Sequence, residues 1–184
     1  MAQLGMTERV CVELWDYREV EANLRVSGRS CVFDAIVSVE MLEHVGERYW
    51  PVYFTALDRL LAPDGLIALQ TSTMSHHAMI ATRHKHTWLH KYVFPGFLVP
   101  SITAIERCLR QHTNVRIMER YCIGRHYVDT IRLWRQRFNE NARQMPRPGL
   151  DETFIRTWNF YLAYCESGFR SGYLDVEQIL LSHE

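Results

Sequence analysis

The sequence predicts an α/β fold in which helices cover a parallel sheet. Apolar residues with little alternation fill Phe33–Val39, as is typical of a strand buried on both faces. A helical repeat of apolar residues follows, then a turn at residues 62–65 and another apolar run at residues 66–69. Strand, helix, turn and strand in this order predict a βαβ unit with parallel strands and a right-handed crossover.

Size and charge limit the function classes. With 184 residues, 47% of them hydrophobic and 23% charged, the chain suits one domain with a sizeable core. Twenty-one basic residues balance twenty-one acidic ones, so no net field favours nucleic acid or an anionic membrane. We therefore expect no nucleic-acid partner.

Cysteine usage and hydropathy indicate the compartment. The five cysteines are widely spaced and contain no CxxC pair, which disfavours a disulfide framework or a cysteine zinc site. No stretch approaches the ~20 apolar residues of a membrane span, and residues 1–10 lack the apolar core of a signal peptide. A cytoplasmic protein is predicted.

The first half of the chain reads as short elements leading into the βαβ unit. Residues 10–14 alternate well enough for a short strand, and residues 20–24 suit a short helix. Pro51 falls in the first turn of the βαβ helix, where proline is favoured. The apolar residues of this helix recur at intervals of three and four residues, at Trp50, Tyr53, Phe54, Leu57, Leu60 and Leu61.

The second half begins with an irregular region. Residues 73–90 are polar and hold five of the nine histidines, and residues 88–100 are rich in aromatics and proline, as in a folded loop. Further on, the pattern predicts a helix at 103–111, a strand at 115–121, a helix carrying Tyr127, Ile131, Trp134 and Phe138 that ends near 146–149, a helix capped by Asp151, and a final edge strand at 174–181.

Polar side chains follow the first strand of the βαβ unit. Glu40, Glu43 and His44 come just after Val39. Ligands of open α/β sheets bind outside the carboxyl ends of the strands, so chemistry is expected there. By residue type alone, a glutamate at this position is more often a helix cap than a catalytic residue, and we assign His44 to structure.

Several segments in one register resemble the cyclopropane-fatty-acid and mycolic-acid synthase family of S-adenosylmethionine-dependent methyltransferases. They are VSVEMLEHVG at 37–46, Tyr53-Phe54, DRLL at 58–61 with PDG at 63–65, KYVFPG at 91–96 with Leu98 and Pro100-Ser101, GRHY at 124–127 leading to Leu133-Trp134, and Phe169-Arg170. The resemblance covers nearly the whole chain but only the C-terminal part of the family's catalytic domain. Residues 1–184 are thus expected to form the C-terminal part of a single methyltransferase domain.

The resemblance implies a truncated Rossmann-like class I methyltransferase sheet with C-terminal helices. The family's Gly-rich cofactor loop and first two strands have no counterpart in this sequence. We therefore expect residues 10–14 to lack a neighbouring strand and Phe33–Val39 to present an open apolar edge. Such an edge invites non-native pairing, and poor stability is expected unless a missing N-terminal half is supplied.

The resemblance also implies an S-adenosyl-L-methionine site at Trp15 and Asp16. In the family an indole face and a carboxylate at this point bind the adenine, and stacking with one acceptor suits that base. By residue type alone, the pair fits a surface turn better than an adenine site.

The catalytic residues implied by the resemblance are Glu43, Tyr127 and Gln70. In the family the corresponding glutamate and tyrosine help hold a bicarbonate ion, which removes a proton after the alkene has attacked the methyl group. The spacing of Tyr127 also fits core packing. Gln70 departs from the family's usual histidine and Ser72 from its common isoleucine. Because glutamine holds no proton near neutral pH, simple methylation becomes a stronger alternative to ring closure.

The predicted function is transfer of a methyl or methylene carbon to the double bond of an unsaturated acyl lipid, either a phospholipid or a chain on an acyl carrier, with peripheral contact to the inner face of the membrane. We expect this activity to be impaired in the chain as given, because the family's missing loop would hold the amino acid part and the ribose of the cofactor. The aromatic segment suits either an acyl tunnel or a packed loop, through Trp88, Tyr92, Phe94, Phe97 and Leu98. A non-catalytic acyl-binding remnant that pairs with a separate N-terminal half remains an alternative. Metal binding is disfavoured because the histidines show no recognisable ligand spacing.

Overall fold

The computed structural model describes residues 9–142 and 151–184. Within these ranges the strands are β1 (Phe33–Val39), β2 (Leu61–Met74), β3 (Val115–Cys122) and β4 (Leu174–His183). The helices are α1 (Val20–Val26), α2 (Trp50–Leu60), α3 (His76–Thr82), α4 (Trp88–Tyr92), α5 (Ile102–His112), α6 (Gly124–Ala142) and α7 (Glu152–Arg170). Two 3₁₀ turns, Leu42–His44 and Glu47–Tyr49, link β1 to α2.

The predicted βαβ unit is confirmed. β1 and β2 pair in parallel, with Ala35 opposite Leu66 and Val39 opposite Gln70, and α2 forms the connection. β2 starts at Leu61, earlier than expected, because the predicted turn at 62–65 is an irregularity inside the strand. The pairing jumps across these residues, so the turn sequence bulges out without ending the strand.

β4 is an interior strand, so the predicted edge position is wrong. The strand order is β1-β2-β4-β3, with β4 antiparallel to both neighbours. A local sequence pattern reveals a strand but not which strands lie beside it. The predicted α1, α5 and β3 are confirmed within one or two residues.

Residues 10–14 form no strand, contrary to the sequence prediction. They are exposed, and the carboxylate of Glu13 lies 3.1 Å from the guanidinium of Arg29. An isolated extended segment gains stability as a strand only by pairing with a neighbour. No strand of the described sheet lies beside this one, as the resemblance led us to expect.

The region predicted to be irregular contains two short helices. The Ser75 hydroxyl caps α3 by accepting from the Ala78 N–H, and Thr87 and His90 form a capping box at α4. The caps explain why a polar stretch with little periodicity becomes helical. The loop predicted at 88–100 is therefore regular only at its start.

The two long C-terminal helices are confirmed. The Asp151 carboxylate accepts from the Phe154 N–H at 2.7 Å and caps α7 as predicted. α6 is described to Ala142, and its predicted end near 146–149 lies outside the described residues.

The helices divide between the two faces of the sheet. On one face α2 and α5 enclose the larger core, whose buried residues include Tyr53, Phe54, Ile67, Leu69 and Ile105. On the other face α6 and α7 pack over the start of β4 in a second core of Ile131, Leu162, Phe169 and Val176. The carboxyl ends of β1 and β2 therefore lie beside the second core.

Among the described residues, the rest of that second face is open, so the prediction that β1 is buried on both faces is wrong. Val37 and Val39 of β1 are 71% and 56% exposed, and they line a shallow groove with Ala68 and Leu180. The predicted apolar edge at β1 is confirmed, since β1 lies at one end of the sheet. None of the helices in the described ranges is both long and apolar enough to span a bilayer.

Replacement of Val37 by lysine tests whether this surface drives self-association. We expect Val37→Lys to keep the protein monomeric at concentrations at which the unaltered chain associates, because a charged side chain opposes burial of the groove. Stability should change by no more than about 0.5 kcal/mol, as for most surface changes. Sedimentation velocity measures association, with Val26→Lys on exposed α1 as the control; equal association of all three proteins would contradict this expectation.

Candidate active site

The candidate site lies where β1 and β2 end. Parallel pairing places Glu40, the residue after Val39, beside Gln70, and the Glu40 N–H donates to the Gln70 carbonyl at 2.9 Å. The 3₁₀ turn Leu42–His44 follows at once and carries Glu43. The first turn of α6 supplies Tyr127.

Glu40 has a left-handed backbone, with φ of 53°. This conformation costs a non-glycine residue about 1 kcal/mol or more and persists only where the surroundings enforce it. Here the side chain is held on both oxygens. Oε1 accepts from Gln70 Nε2 at 3.0 Å and from the Tyr127 hydroxyl at 3.4 Å, and Oε2 accepts from the Ser72 hydroxyl at 3.3 Å.

Gln70 is the centre of this hydrogen-bond network. Its Nε2 donates to Glu40 and also to the Tyr127 oxygen at 3.0 Å. Its Oε1 accepts from Gln178 Nε2 of β4 at 3.0 Å. Gln178 therefore orients the amide so that its donor end points toward Glu40 and Tyr127.

Glu43 is a buried carboxyl group with half of its hydrogen-bonding capacity unused. The residue is 1% exposed, and its Oε1 accepts from the Ser72 N–H at 2.5 Å. Its Oε2 is buried and has no hydrogen-bond partner among the described residues. Burial raises the pKa of Glu43 to about 7, with the charge of Glu40 adding to the rise and backbone hydrogen bonds opposing it. The Glu43 carboxyl group is therefore partly protonated near neutral pH.

Tyr127 is placed by a close contact between α6 and β4. The Gly124 N–H donates to the Asp175 carboxylate at 2.8 Å, and a Cβ at position 124 would lie 2.8 Å from the Asp175 Cα, so only glycine fits. Burial raises the pKa of Tyr127 to about 12, with the charge of Glu40 adding to it. The hydroxyl therefore keeps its proton, and its ring packs 5.2 Å from Phe169.

A cavity of about 510 Å³ opens beside this network. Glu40, Ser72 and Tyr127 form a polar part of its wall. The apolar wall comes from the loop after α4, from β2 and from the two C-terminal helices, including Met74, Phe94, Phe97, Leu98, Ile131 and Phe169. A long apolar chain with one reacting position suits such a space.

The aromatic segment divides between the cavity and the surrounding packing. Phe94, Phe97 and Leu98 line the cavity, as the tunnel prediction requires. Trp88 instead packs 4.6 Å from Phe160, and Tyr92 is exposed. The segment thus contributes some residues to the cavity wall and others to the packing around it.

His44 is a cavity residue that the sequence reasoning assigned to structure alone. Its ring lies 4.9 Å from Phe94 and 5.0 Å from Phe97, and burial lowers its pKa. It lines the cavity as an uncharged aromatic ring. The sequence pattern also did not predict the hydrogen bonds of Glu40 and Ser72. These depend on the backbone turn after β1 and on the register of β2.

Trp15 and Asp16 lie apart from this network and do not line the cavity. The Asp16 carboxylate accepts two hydrogen bonds from the Arg18 side chain and one from its N–H, which hold its pKa at about 2. The Arg29 guanidinium lies 5.8 Å from the Trp15 ring. The structure thus brings Glu43, Gln70 and Tyr127 together around Glu40 but does not add Trp15 and Asp16 to them.

The histidines of residues 76–90 make structural contacts. His76 Nδ1 lies 2.8 Å from the Ser101 hydroxyl, and His90 lies between Thr87 and the Phe97 carbonyl. In residues 9–142 and 151–184, no three acidic, histidine or cysteine side chains form a group able to hold a metal ion.

Comparison with known proteins identifies the relatives of this chain. The family model described as mycolic acid cyclopropane synthetase matches residues 1–179. The chain is 48% identical, over its whole length, to the tuberculostearic acid methyltransferase of Mycobacterium tuberculosis. It is 29% identical over 94% of its length to the cyclopropane-fatty-acyl-phospholipid synthase of Escherichia coli strain K12.

A solved structure confirms the predicted fold class. The mycolic acid cyclopropane synthase in complex with SAH and CTAB has a TM-score of 0.71 and 27% identity, covering 84% of this chain and 57% of that chain. The chain spans 41% of the length of each of the two relatives named above. This coverage agrees with the predicted resemblance to a C-terminal portion, and the chain belongs to the mycolic acid cyclopropane synthetase family.

Proposed function

We propose that this chain takes part in the S-adenosyl-L-methionine-dependent transfer of a methyl or methylene carbon to the double bond of an unsaturated acyl chain. The main support for this proposal is the apolar cavity of about 510 Å³, which has carboxylate, hydroxyl and phenol groups in its wall. An acyl chain is apolar along its length and develops a positive charge only at the reacting carbons. Negative charge fixed beside those carbons stabilises the transition state.

The substrate would be a membrane phospholipid or a chain on an acyl carrier. Tyr92, Trp134 and Tyr164 are exposed, and the last two also line the cavity. Aromatic side chains with one polar end favour a membrane interface, which supports peripheral contact with a membrane. The free cysteines, of which Cys108 is buried, support a cytoplasmic location.

S-adenosyl-L-methionine would supply an electrophilic methyl group when bound, and Trp15 and Asp16 would hold its adenine. Asp16 is ionised because its pKa lies at about 2, which is the state that accepts from an exocyclic amine. The half-buried Trp15 offers an indole face for stacking. These two residues fit that role chemically.

Glu43, Gln70 and Tyr127 remain the proposed catalytic residues. The ring and hydroxyl of Tyr127 line the cavity, where an aromatic face stabilises a cation. Gln70 donates two hydrogen bonds at the edge of that space. Glu43 holds or releases a proton near neutral pH, so it adjusts the charge of the site.

Bicarbonate is the second small group that the resemblance implies, and its donors in this chain are already engaged. Gln70 and Tyr127 both direct their donors to Glu40 Oε1. A bicarbonate ion at the same donors would meet the Glu40 carboxylate, and two adjacent anions repel each other. The residues present therefore do not fit a bicarbonate site while Glu40 holds this position.

A second candidate function is acyl-chain binding without catalysis, in complex with another polypeptide. The open groove around Val37 and Val39 supports it, because an exposed apolar sheet face suits a protein partner. Under this alternative the chain takes up lipid without transferring a methyl group.

Methyl transfer separates the two functions. We expect the protein, given S-adenosyl-L-methionine with a trideuterated methyl group and vesicles of dioleoyl phosphatidylethanolamine, to place deuterium in the oleoyl chains. The rate should be low, because the family's cofactor loop has no counterpart in this sequence. Mass spectrometry of the released fatty acids measures it and reveals whether the added carbon keeps all its deuterium. Uptake of oleate without any deuterium in lipid would favour the binding function.

Truncation of a cavity phenylalanine tests the acyl site. Phe94→Ala removes a ring that packs against the cavity rings of His44, Phe97 and Tyr161. It should weaken the binding of oleate by about 30-fold, since burying one large apolar side chain is worth about 2 kcal/mol. Titration calorimetry measures the affinity. Phe160→Ala removes a phenylalanine outside the cavity and should bind oleate normally, so equal losses in both variants would count against the site.

The raised pKa of Glu43 predicts a pH dependence of stability. The folded state holds a proton that the unfolded state has released between pH 4.5 and about 7. The contribution of Glu43 to the free energy of unfolding is therefore full below pH 4.5 and falls as pH rises to about 7, by about 3 kcal/mol. Glu43→Gln should remove this fall.

Urea unfolding at a series of pH values measures the change. Glu47→Gln is the control, because Glu47 is more exposed and pairs with Arg83, and it should keep the slope of the unaltered protein. A Glu43→Gln variant with that same slope would show that Glu43 is ionised in the folded state throughout.

A further inference from the structure

Glu40 is the carboxylate that the network holds in the cavity wall. Both Gln70 and Tyr127, the proposed anion ligands, direct their donors to its Oε1, and Ser72 donates to its Oε2. Glu40 itself lines the cavity, whereas Glu43 and Gln70 do not. Of the two site carboxyl groups, Glu40 is therefore the one that an acyl chain in that cavity would meet.

The backbone adds an independent observation. Among the described residues, Glu40 alone combines a side chain with a positive φ, of 53°. The left-handed turn directly after β1 sends its side chain toward Ser72 and Tyr127. Strain of this kind persists where the surrounding contacts enforce it and is common at functional sites. The Glu40 N–H bond to the Gln70 carbonyl, at 2.9 Å, fixes the turn.

We propose that Glu40 is the catalytic base of this chain and that its carboxylate takes the place of an exogenous bicarbonate ion. This inference rests on the proposed methyl transfer. Gln70 and Tyr127 then hold a protein carboxylate where the resemblance implies a bound anion. Gln178 is a positioning residue, because its donation to Gln70 Oε1 keeps the amide nitrogen directed at Glu40 and Tyr127.

The charges of the site favour one anion beside Gln70 and Tyr127, the Glu40 carboxylate, over two. Glu43 lies close enough for Glu40 to affect its protonation, and Glu43 Oε2 is buried without a partner. Protonation of Glu43 removes its negative charge from beside the Glu40 carboxylate, which lines the cavity. A bicarbonate ion added to the same donors would place a second anion there, at a cost in electrostatic repulsion.

Proton transfer to Glu40 follows the formation of the new carbon–carbon bond. The alkene electron pair forms the new carbon–carbon bond while the carbon–sulfur bond of the methyl donor breaks and leaves its electrons on sulfur. The acyl chain then carries one positive charge. Glu40 accepts a proton from the transferred carbon, whose C–H electrons close a three-membered ring, or from the carbon beside the cation, whose C–H electrons form a double bond. Neutral Glu40 afterwards releases the proton to water.

The test compares Glu40→Gly with Glu40→Gln. Glycine adopts a positive φ freely, so Glu40→Gly should fold at least as well as the unaltered chain while opening the space of the carboxylate. Glutamine fills that space without accepting a proton. Glu47→Gln, a nearby glutamate outside the cavity, is the control.

The first readout is binding, followed by the NMR signal of ¹³C-labelled bicarbonate. We expect saturable binding by Glu40→Gly and none by the unaltered chain, Glu40→Gln or Glu47→Gln. Equal binding by the unaltered chain and Glu40→Gly would overturn the proposal, as would the absence of binding by a folded Glu40→Gly. Bicarbonate binding is measured without methyl transfer. It therefore tests the role of Glu40 even if the chain transfers no methyl group.

The second readout is methyl transfer to oleoyl phospholipid in buffer freed of carbon dioxide. The unaltered chain should keep its rate, and both Glu40 variants should lose at least about 100-fold, the usual contribution of a general base. Added bicarbonate should restore Glu40→Gly but not Glu40→Gln. A bicarbonate requirement of the unaltered chain, or full activity of Glu40→Gln, would overturn the role of Glu40; a total lack of transfer by every protein would count against the proposed function alone.

Discussion

The parallel pairing of β1 with β2 is the constraint on which the candidate site depends. Because the two strands run in the same direction, their carboxyl ends meet, and the residue after Val39 lies beside Gln70. β4 then joins β2 from the other side and brings Gln178 within hydrogen-bond distance of Gln70. A shift of one residue in either pairing would turn Gln70 to the opposite face and separate Glu40 from its donors.

Two carboxyl groups with different surroundings share this site. Glu43 is buried under the loop that carries Leu98, whose N–H donates to the Glu43 carbonyl, and burial favours its protonated form. Glu40 lines the cavity and accepts three hydrogen bonds from side chains. Neighbouring acids in such different surroundings suit different chemical tasks. In this account Glu40 carries the negative charge and Glu43 adjusts the charge around it.

Local patterns predicted most of the elements but not their lateral arrangement. The mostly apolar run of β1, the three-and-four repeat of α2 and the Asp151 cap of α7 each appear in the sequence at the place where the structure has them. The interior position of β4 depends on its pairing with two distant strands. Residues 10–14 have the alternation of a strand but no neighbour with which to pair, so their pattern predicted an element that does not form.

The site was predicted in part for the same reason. Strand ends and the family resemblance indicated Glu43, Gln70 and Tyr127, which the fold brings close to one another. Glu40 stood in the same stretch, yet its importance depends on a positive φ and on contacts with α6, neither of which a linear pattern reveals. The polar departure at Ser72 was visible, but its contact with Glu40 became apparent only from the register of β2.

The most direct measurement is a crystal structure of the protein grown in bicarbonate buffer with S-adenosylhomocysteine and an oleoyl lipid. We expect an acyl chain in the cavity, with the Glu40 carboxylate between Gln70 and Tyr127. Planar density for a separate bicarbonate ion on those two side chains, with Glu40 turned out of the cavity, would contradict it.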